Sequence, residues 1–235
     1  MPRIPGAGDR IPEPKLSYAA DLGVTDGYRT LVLRTERGPV ETHLYEAEEA
    51  RGAVLFVGGV GGGFDSPAHN LYPRLAGELA ARGVSALHVR FRRSTDLPEA
   101  VHDVLAGLWL LDTRGVQRVV LVGHSFGGAV VISAGVRSEQ VTAVVTLATQ
   151  SYGTNEVASL SPRPLLLLHG TDDEILPATS SWSVHRMARE PKTLELFEGA
   201  RHCLDEMADE VHDILQAWLL KQLGAAVPRL TEPRA

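Results

Sequence analysis

The chain is 235 residues long, 44% hydrophobic and 22% charged, which suits a globular core of ordinary size rather than a disordered or fibrous chain. Its formal charge of −6, with no run of lysine or arginine, argues against nucleic acid or an anionic membrane surface as a partner. The one cysteine, Cys203, excludes an intrachain disulfide framework, and no apolar stretch approaches the roughly 18 residues that span a bilayer.

Residues 1–15, MPRIPGAGDRIPEPK, are rich in proline and glycine and lack the apolar core of a secretory signal. They are expected to form a loose arm on a cytoplasmic protein. Segments 28–35 (YRTLVLRT) and 40–47 (VETHLYEA) alternate apolar and polar residues, as strands with one wet face do. Continuous apolar runs follow at 53–59, 84–91, 118–124, 142–149 and 165–170, with a last short run, TLELF, at 193–197. Such runs predict strands covered on both faces, as in a parallel sheet.

Helical patterns lie between these runs. Ser66-Pro67 predicts an N-cap and a first helical residue, for a helix reaching Arg82 and stopping at Gly83. LPEAVHDVLAGLWLLDTRG places Val101, Val104, Leu105, Leu108 and Leu111 at helical spacing before another glycine. AVVISAGVR, WSVHRMAR and EMADEVHDILQAWLLKQLG complete the set, and a second loose segment is expected over 225–235. The alternation predicts one α/β domain over 16–224, with a mostly parallel central sheet and helices on both faces.

Within this pattern, Gly123-His124-Ser125-Phe126-Gly127 joins an apolar strand to an apolar helix. In G-x-S-x-G the serine sits on a sharp, strained turn, and a Cβ at either glycine would crowd that turn. The turn lifts the serine oxygen out of the sheet at a helix N-terminus, where the dipole and free N–H groups favour developing negative charge. Ser125 is therefore the candidate nucleophile.

On this motif and its strand–turn–helix setting, the chain resembles the α/β-hydrolase family over roughly residues 28–223. The resemblance implies an α/β-hydrolase fold and a Ser, acid, His order along the chain. LLLLHGTDDEILP is similar to the family's H-G-x-x-D-x-x-V-P segment, which implies Asp173 as the acid, with Asp172 as the alternative. The preceding loop, LATQSYGTN, carries no carboxylate that could serve instead. FEGARHCLDE supplies His202 on the loop after the last strand, the family's place for the base. His124 and His169 are expected to be structural, and Cys203 to be a packing residue. One oxyanion donor is the N–H of Phe126, the residue after the nucleophile. By analogy with the family's H-G-x-G-G stretch, Val60 supplies the second from VGGVGGGFDSP, although Gly58 stands where the family often has histidine.

The gap between Thr149 and Leu165 is too short for a cap domain, so an open cleft is expected. Gln150, Ser151 and Tyr152 lie at its predicted edge. Arg92 and Arg93 follow a strand where relatives have a D-x-R-G-like turn, and either could attract a substrate carboxylate. Dienelactone hydrolases are small, uncapped relatives of this kind, but they use a cysteine nucleophile. No C-x-x-C, H-E-x-x-H or EF-hand pattern marks a metal site, the glycine run lacks the ending of a P-loop, and no cofactor is expected. The expected function is a serine hydrolase acting on a small-molecule ester or thioester. A peptidase, acyltransferase or C–C hydrolase on the same residues, or a non-catalytic binding protein, are the alternatives.

Overall fold

The computed structural model describes residues 15–225. Apart from Lys15 and Ala225, the arm and tail expected at the two ends lie outside the described residues. Among these residues no helix is long and apolar enough to cross a membrane.

The chain enters through two hairpins. β1 (Leu16–Thr25), β2 (Tyr28–Thr35) and β3 (Gly38–Tyr45) run antiparallel. β1 is a strand that the apolar pattern does not announce. Its register slips between Asp21 and Val24, so the alternation is broken. Its signal is the pair Asp26-Gly27, both at positive φ, which closes a two-residue hairpin between Thr25 and Tyr28. On β2 and β3 the alternation holds: Leu31 and Leu33, then Val40, Thr42 and Leu44, face the core.

The remaining strands are β4 (Gly52–Val57), β5 (Ser85–Val89), β6 (Arg118–His124), β7 (Val141–Leu147), β8 (Leu165–Gly170) and β9 (Lys192–Phe197). The sheet has nine strands in the order β1-β2-β3-β5-β4-β6-β7-β8-β9, and every pair from β5 to β9 is parallel. This is the mostly parallel sheet that the apolar runs predict. Alternate residues feed two cores. Leu55, Val57, Leu87 and Leu121 join α2 (Leu97–Thr113) and α3 (Phe126–Gly135) on one face. Val54, Phe56, Val120 and Val145 join α1 (Pro67–Ala80) and α5 (Ala208–Leu223) on the other. Burying each such side chain stabilises the fold by about 1.5–3 kcal/mol. α4 (Thr179–Met187) packs beside β9. Gly83 and Gly115, both at positive φ, follow helix ends as expected, and Gly224, also at positive φ, caps α5.

The start of α1 departs from the expected N-cap. Ser66 makes no cap bond to the first turn; its Oγ accepts from the Tyr72 N–H at 2.8 Å instead. Ala68, His69 and Asn70 are left-handed, held by Ala68 N–H on the Cys203 carbonyl (2.7 Å) and His69 N–H on the Asp205 carboxylate (3.0 Å). Cys203 itself is exposed rather than packed.

Strand order reverses around β4, whose neighbours are β5 on one side and β6 on the other. In open α/β sheets this is where loops part at the carboxyl ends of the strands and leave a crevice. The loops after β4, β6, β8 and β9 all emerge at that edge. Between β7 and β8, residues 148–164 hold only a 3-10 turn, Val157–Leu160, and no cap domain.

Burial of His88 is expected to add to the acid sensitivity of this fold. His88 on β5 is 4% exposed, edge-on to Phe64 and Tyr72, and its Nε2 has no hydrogen-bond partner among the described residues. Burial, aided by nearby His43 and opposed by the Asp65 backbone, pushes its pKa down from 6.5 to about 3. Above pH 6.5 the ring is neutral in both states. Below it, the unfolded chain binds a proton that the folded chain refuses. The stability carried by the neutral ring is therefore lost as pH falls from 6.5 towards 3, by up to about 1.4 kcal/mol per pH unit. His88→Phe keeps the ring and removes the titration, so stability should fall less steeply from pH 7 to pH 5. Urea midpoints measured across that range would refute this if both proteins show the same slope.

Candidate active site

Ser125 sits between β6 and α3 at φ 56° and ψ −118°, a strained conformation for a residue with a Cβ. Its surroundings impose that geometry. A Cβ on Gly123 would collide with the Gly127 carbonyl, and one on Gly127 with the Gly58 carbonyl. The Ser125 N–H donates to the Leu147 carbonyl at 2.8 Å, which ties the turn to β7.

The loops after β8 and β9 are sewn together. The Thr171 N–H donates to the Phe197 carbonyl (2.9 Å), the Asp172 N–H to Ala200 (3.0 Å), and the Gly199 N–H to the Thr171 hydroxyl (2.9 Å). A Cβ on Gly170 would strike the Ala200 carbonyl. This contact aligns Asp173 with His202, whose Nδ1–H donates to Asp173 Oδ2 at 2.8 Å. His202 Nε2 in turn accepts from Ser125 Oγ at 3.0 Å. The structure thus brings Ser125, His202 and Asp173 into one hydrogen-bonded chain, from residues up to 77 apart in sequence.

Each member has its own support. Asp173 Oδ1 accepts the Ile175 and Leu176 N–H groups at 2.9 and 2.8 Å, and Oδ2 also accepts from His169 Nε2 at 3.0 Å. Burial resists its ionisation, but the His202 bond and these backbone donors outweigh that, and its pKa lies below the ordinary 3.8. The His169 ring is fixed from its far side by the Ser181 hydroxyl at 2.6 Å. His124 Nε2–H donates to the His202 backbone carbonyl at 3.0 Å, and burial lowers its pKa to about 4, so that neutral tautomer persists. These two histidines, expected to be structural, hold Asp173 and the His202 loop in place. Asp172 is exposed and bonds to the Thr171 hydroxyl, away from His202.

The glycine-rich loop after β4 lies against this centre: a Cβ on Gly59 would sit 3.2 Å from Ser125 Cβ. Asp65 explains Gly58, because its carboxylate occupies the space that any Cβ there would need. Phe126 opens α3, so its N–H has no acceptor within the helix. Gln150, Ser151 and Tyr152 follow β7 one strand away from β6; Gln150 donates to the Tyr152 carbonyl at 2.8 Å, and Tyr152 is exposed.

The two arginines part company. Arg92 is committed to structure: Nε meets Asp103 Oδ1 at 2.5 Å, Nη2 meets Glu99 Oε2 at 2.9 Å, and Nη1 donates to the Arg37 carbonyl at 2.6 Å. Its donors are spent and its side chain is only 12% exposed, which corrects the expectation that it faces substrate. Arg93 is exposed and has no carboxylate partner among the described residues.

A profile of the alpha/beta hydrolase family matches residues 69–205, more than half of the chain and including Ser125, Asp173 and His202. The chain belongs to the alpha/beta hydrolase family. Among curated relatives, this alpha/beta hydrolase is 35% identical over 135 residues to the uncharacterized protein YfhR of Escherichia coli O157:H7, covering 47% of each chain. It therefore spans about half the length of the curated relatives it matches. Among solved structures, the esterase domain of a Rhodothermus marinus protein superposes with a TM-score of 0.69 at 21% identity, over 84% of this chain and 100% of that one. XC6422 of Xanthomonas campestris, described as an a/b serine hydrolase without lid, superposes with a TM-score of 0.64 at 18% identity, over 88% and 99%. These likenesses are of fold, and they agree with a hydrolase sheet that carries no cap.

Proposed function

We propose that this alpha/beta hydrolase is a serine hydrolase that cleaves a small-molecule carboxylic ester or thioester through an acyl-enzyme. The observation that carries the reading is the unbroken hydrogen-bonded chain from Asp173 through His202 to Ser125. A serine hydroxyl is a weak nucleophile. As Ser125 Oγ attacks the carbonyl carbon, its proton passes to His202 Nε2, and the imidazolium is steadied by the Asp173 carboxylate. Collapse of the tetrahedral intermediate expels the alcohol or thiol, which takes that proton. Water then attacks the acyl-enzyme, giving its proton to His202, and releases the acid while Ser125 regains its hydrogen. The N–H groups of Phe126 and Val60 receive the oxyanion in both halves. The proposed chemistry calls on no cofactor or metal. The esterase and serine hydrolase descriptions of the fold neighbours favour the same reaction class.

A fluorophosphonate probe should label wild-type protein at Ser125, and hydrolysis should appear in a panel of esters, thioesters and amides of varied acyl length. No labelling and no turnover would return the chain to a binding role. Gln150, Ser151, Tyr152 and Arg93 are the proposed rim of the acyl site. If Arg93 meets a substrate carboxylate, Arg93→Met should lower kcat/KM for an acidic ester by about 10-fold or more relative to its matched neutral ester, the worth of one charge-assisted hydrogen bond. An unchanged ratio would leave Arg93 as a solvated surface residue.

A further inference from the structure

We propose that Asp65 and Ser94 are positioning residues that lock the Gly59–Val60 peptide with its N–H free to receive the oxyanion. The inference rests on the reading of Ser125 as nucleophile and goes beyond it, because neither side chain belongs to the Ser-His-Asp chain. The loop from Gly58 to Gly63 contains five glycines and one valine. Such backbone has many accessible conformations, and a peptide flip at Val60 would turn its N–H away from Ser125. An oxyanion donor acts only if it is held in place before the charge arrives.

The structure supplies a clamp on each side of that peptide. The Gly59 N–H donates to Asp65 Oδ2 at 3.0 Å. The Val60 carbonyl accepts from Ser94 Oγ at 2.8 Å. The Gly59 carbonyl accepts from the Gly62 N–H at 3.4 Å. All three polar backbone groups flanking the Val60 N–H are therefore engaged, while no protein acceptor among the described residues takes the Val60 N–H itself.

Both clamps are themselves anchored. Asp65 follows Phe64, whose ring stacks on His43 at 3.5 Å, and precedes Ser66, which accepts from the Tyr72 N–H. Its carboxylate fills the space left by Gly58, so it wedges the loop as well as bonding to it. Ser94 lies two residues beyond Arg92, whose backbone N–H and Nε both bind the wholly buried Asp103. The arginine that looked like a substrate ligand instead fixes the segment that carries Ser94.

The test uses the full chain and an ester that the wild type hydrolyses, with active sites counted by fluorophosphonate titration. Asp65→Ala is expected to lower kcat by 10- to 100-fold, a part of the roughly 10²–10³-fold cost of losing a whole oxyanion donor. KM should move less than twofold, and the affinity of a boronic acid that forms a tetrahedral adduct on Ser125 should fall with kcat. Asp65→Asn should recover most of the activity, because its amide oxygen can still accept the Gly59 N–H. Ser94→Ala should lose about 10-fold in kcat, and Ser94→Thr should recover it. If Asp65→Ala fails to fold, the Ser94 pair and Asp65→Asn decide alone. The proposal is overturned if Ser94→Ala stays within twofold of wild type, if the losses lie in KM, or if Asp65→Asn is as impaired as a folded Asp65→Ala. A wild type that neither labels nor hydrolyses would instead overturn the functional reading beneath it.

Discussion

Replacing Ser125 with alanine is expected to lower turnover by about 10⁶, the scale of nucleophile loss in the best-measured enzyme of this mechanism. The substitution is a clean one structurally. Alanine keeps the Cβ, so the strained turn at φ 56° is neither relieved nor worsened. Only Oγ goes, and with it one bond to His202 Nε2 at 3.0 Å. The His202 side chain is 13% exposed, and a water in the space left by Oγ can replace the lost partner. The thermal midpoint should therefore stay close to that of the wild type while hydrolysis and fluorophosphonate labelling disappear. A purified, folded Ser125→Ala protein that still hydrolyses the wild type's ester at a comparable rate would remove Ser125 from the reaction.

The second large effect is expected at Asp173. Asp173→Asn should cost about 10⁴ in kcat through the wrong tautomer of its histidine. The contacts give the reason. Oδ1 accepts two backbone N–H groups, so the asparagine oxygen must settle there. The new amide NH₂ then points at His202 Nδ1 and His169 Nε2, both of which were donors. His202 can accept from that amide only by moving its proton to Nε2, where it faces Ser125 and can no longer take the serine's proton. Asp172→Asn should change kcat less than twofold, because Asp172 is exposed and its carboxylate accepts from the Thr171 hydroxyl rather than from His202. Opposite results for the two aspartates would move the acid by one position.

The parts of this molecule that were legible in the sequence are those set by neighbours along the chain. Gly123 and Gly127 bracket Ser125 for a steric reason that five residues suffice to state, and the apolar runs carry the parallel strands because burial on both faces leaves few polar side chains in them. What escaped depends on partners far away. The left-handed turn at Ala68–Asn70 is held by Cys203 and Asp205, more than 130 residues on, and no local pattern encodes it. β1 was hidden by its own bulge, with only the Asp26-Gly27 pair to betray it. Arg92 and Arg93 look alike as letters. They differ because Asp103, one helical segment later, faces the first and not the second. Asp65 shows the same limit: its spacing from Gly58 is plain, but only the folded loop reveals that its carboxylate stands where a side chain is missing.

The missing cap has a consequence for the fate of the acyl group. A transferase working through the same covalent intermediate must keep bulk water from the ester while a chosen acceptor arrives, and enclosure is the usual means of doing so. Here the stretch from Ala148 to Pro164 offers one 3-10 turn and no cover. On the proposed mechanism, water competes for an acylated Ser125 with any alcohol or amine acceptor, and at far higher concentration. If the proposed acyl-enzyme forms, an uncovered site of this kind is expected to favour free acid over transfer, with selectivity exercised while the leaving group is still attached.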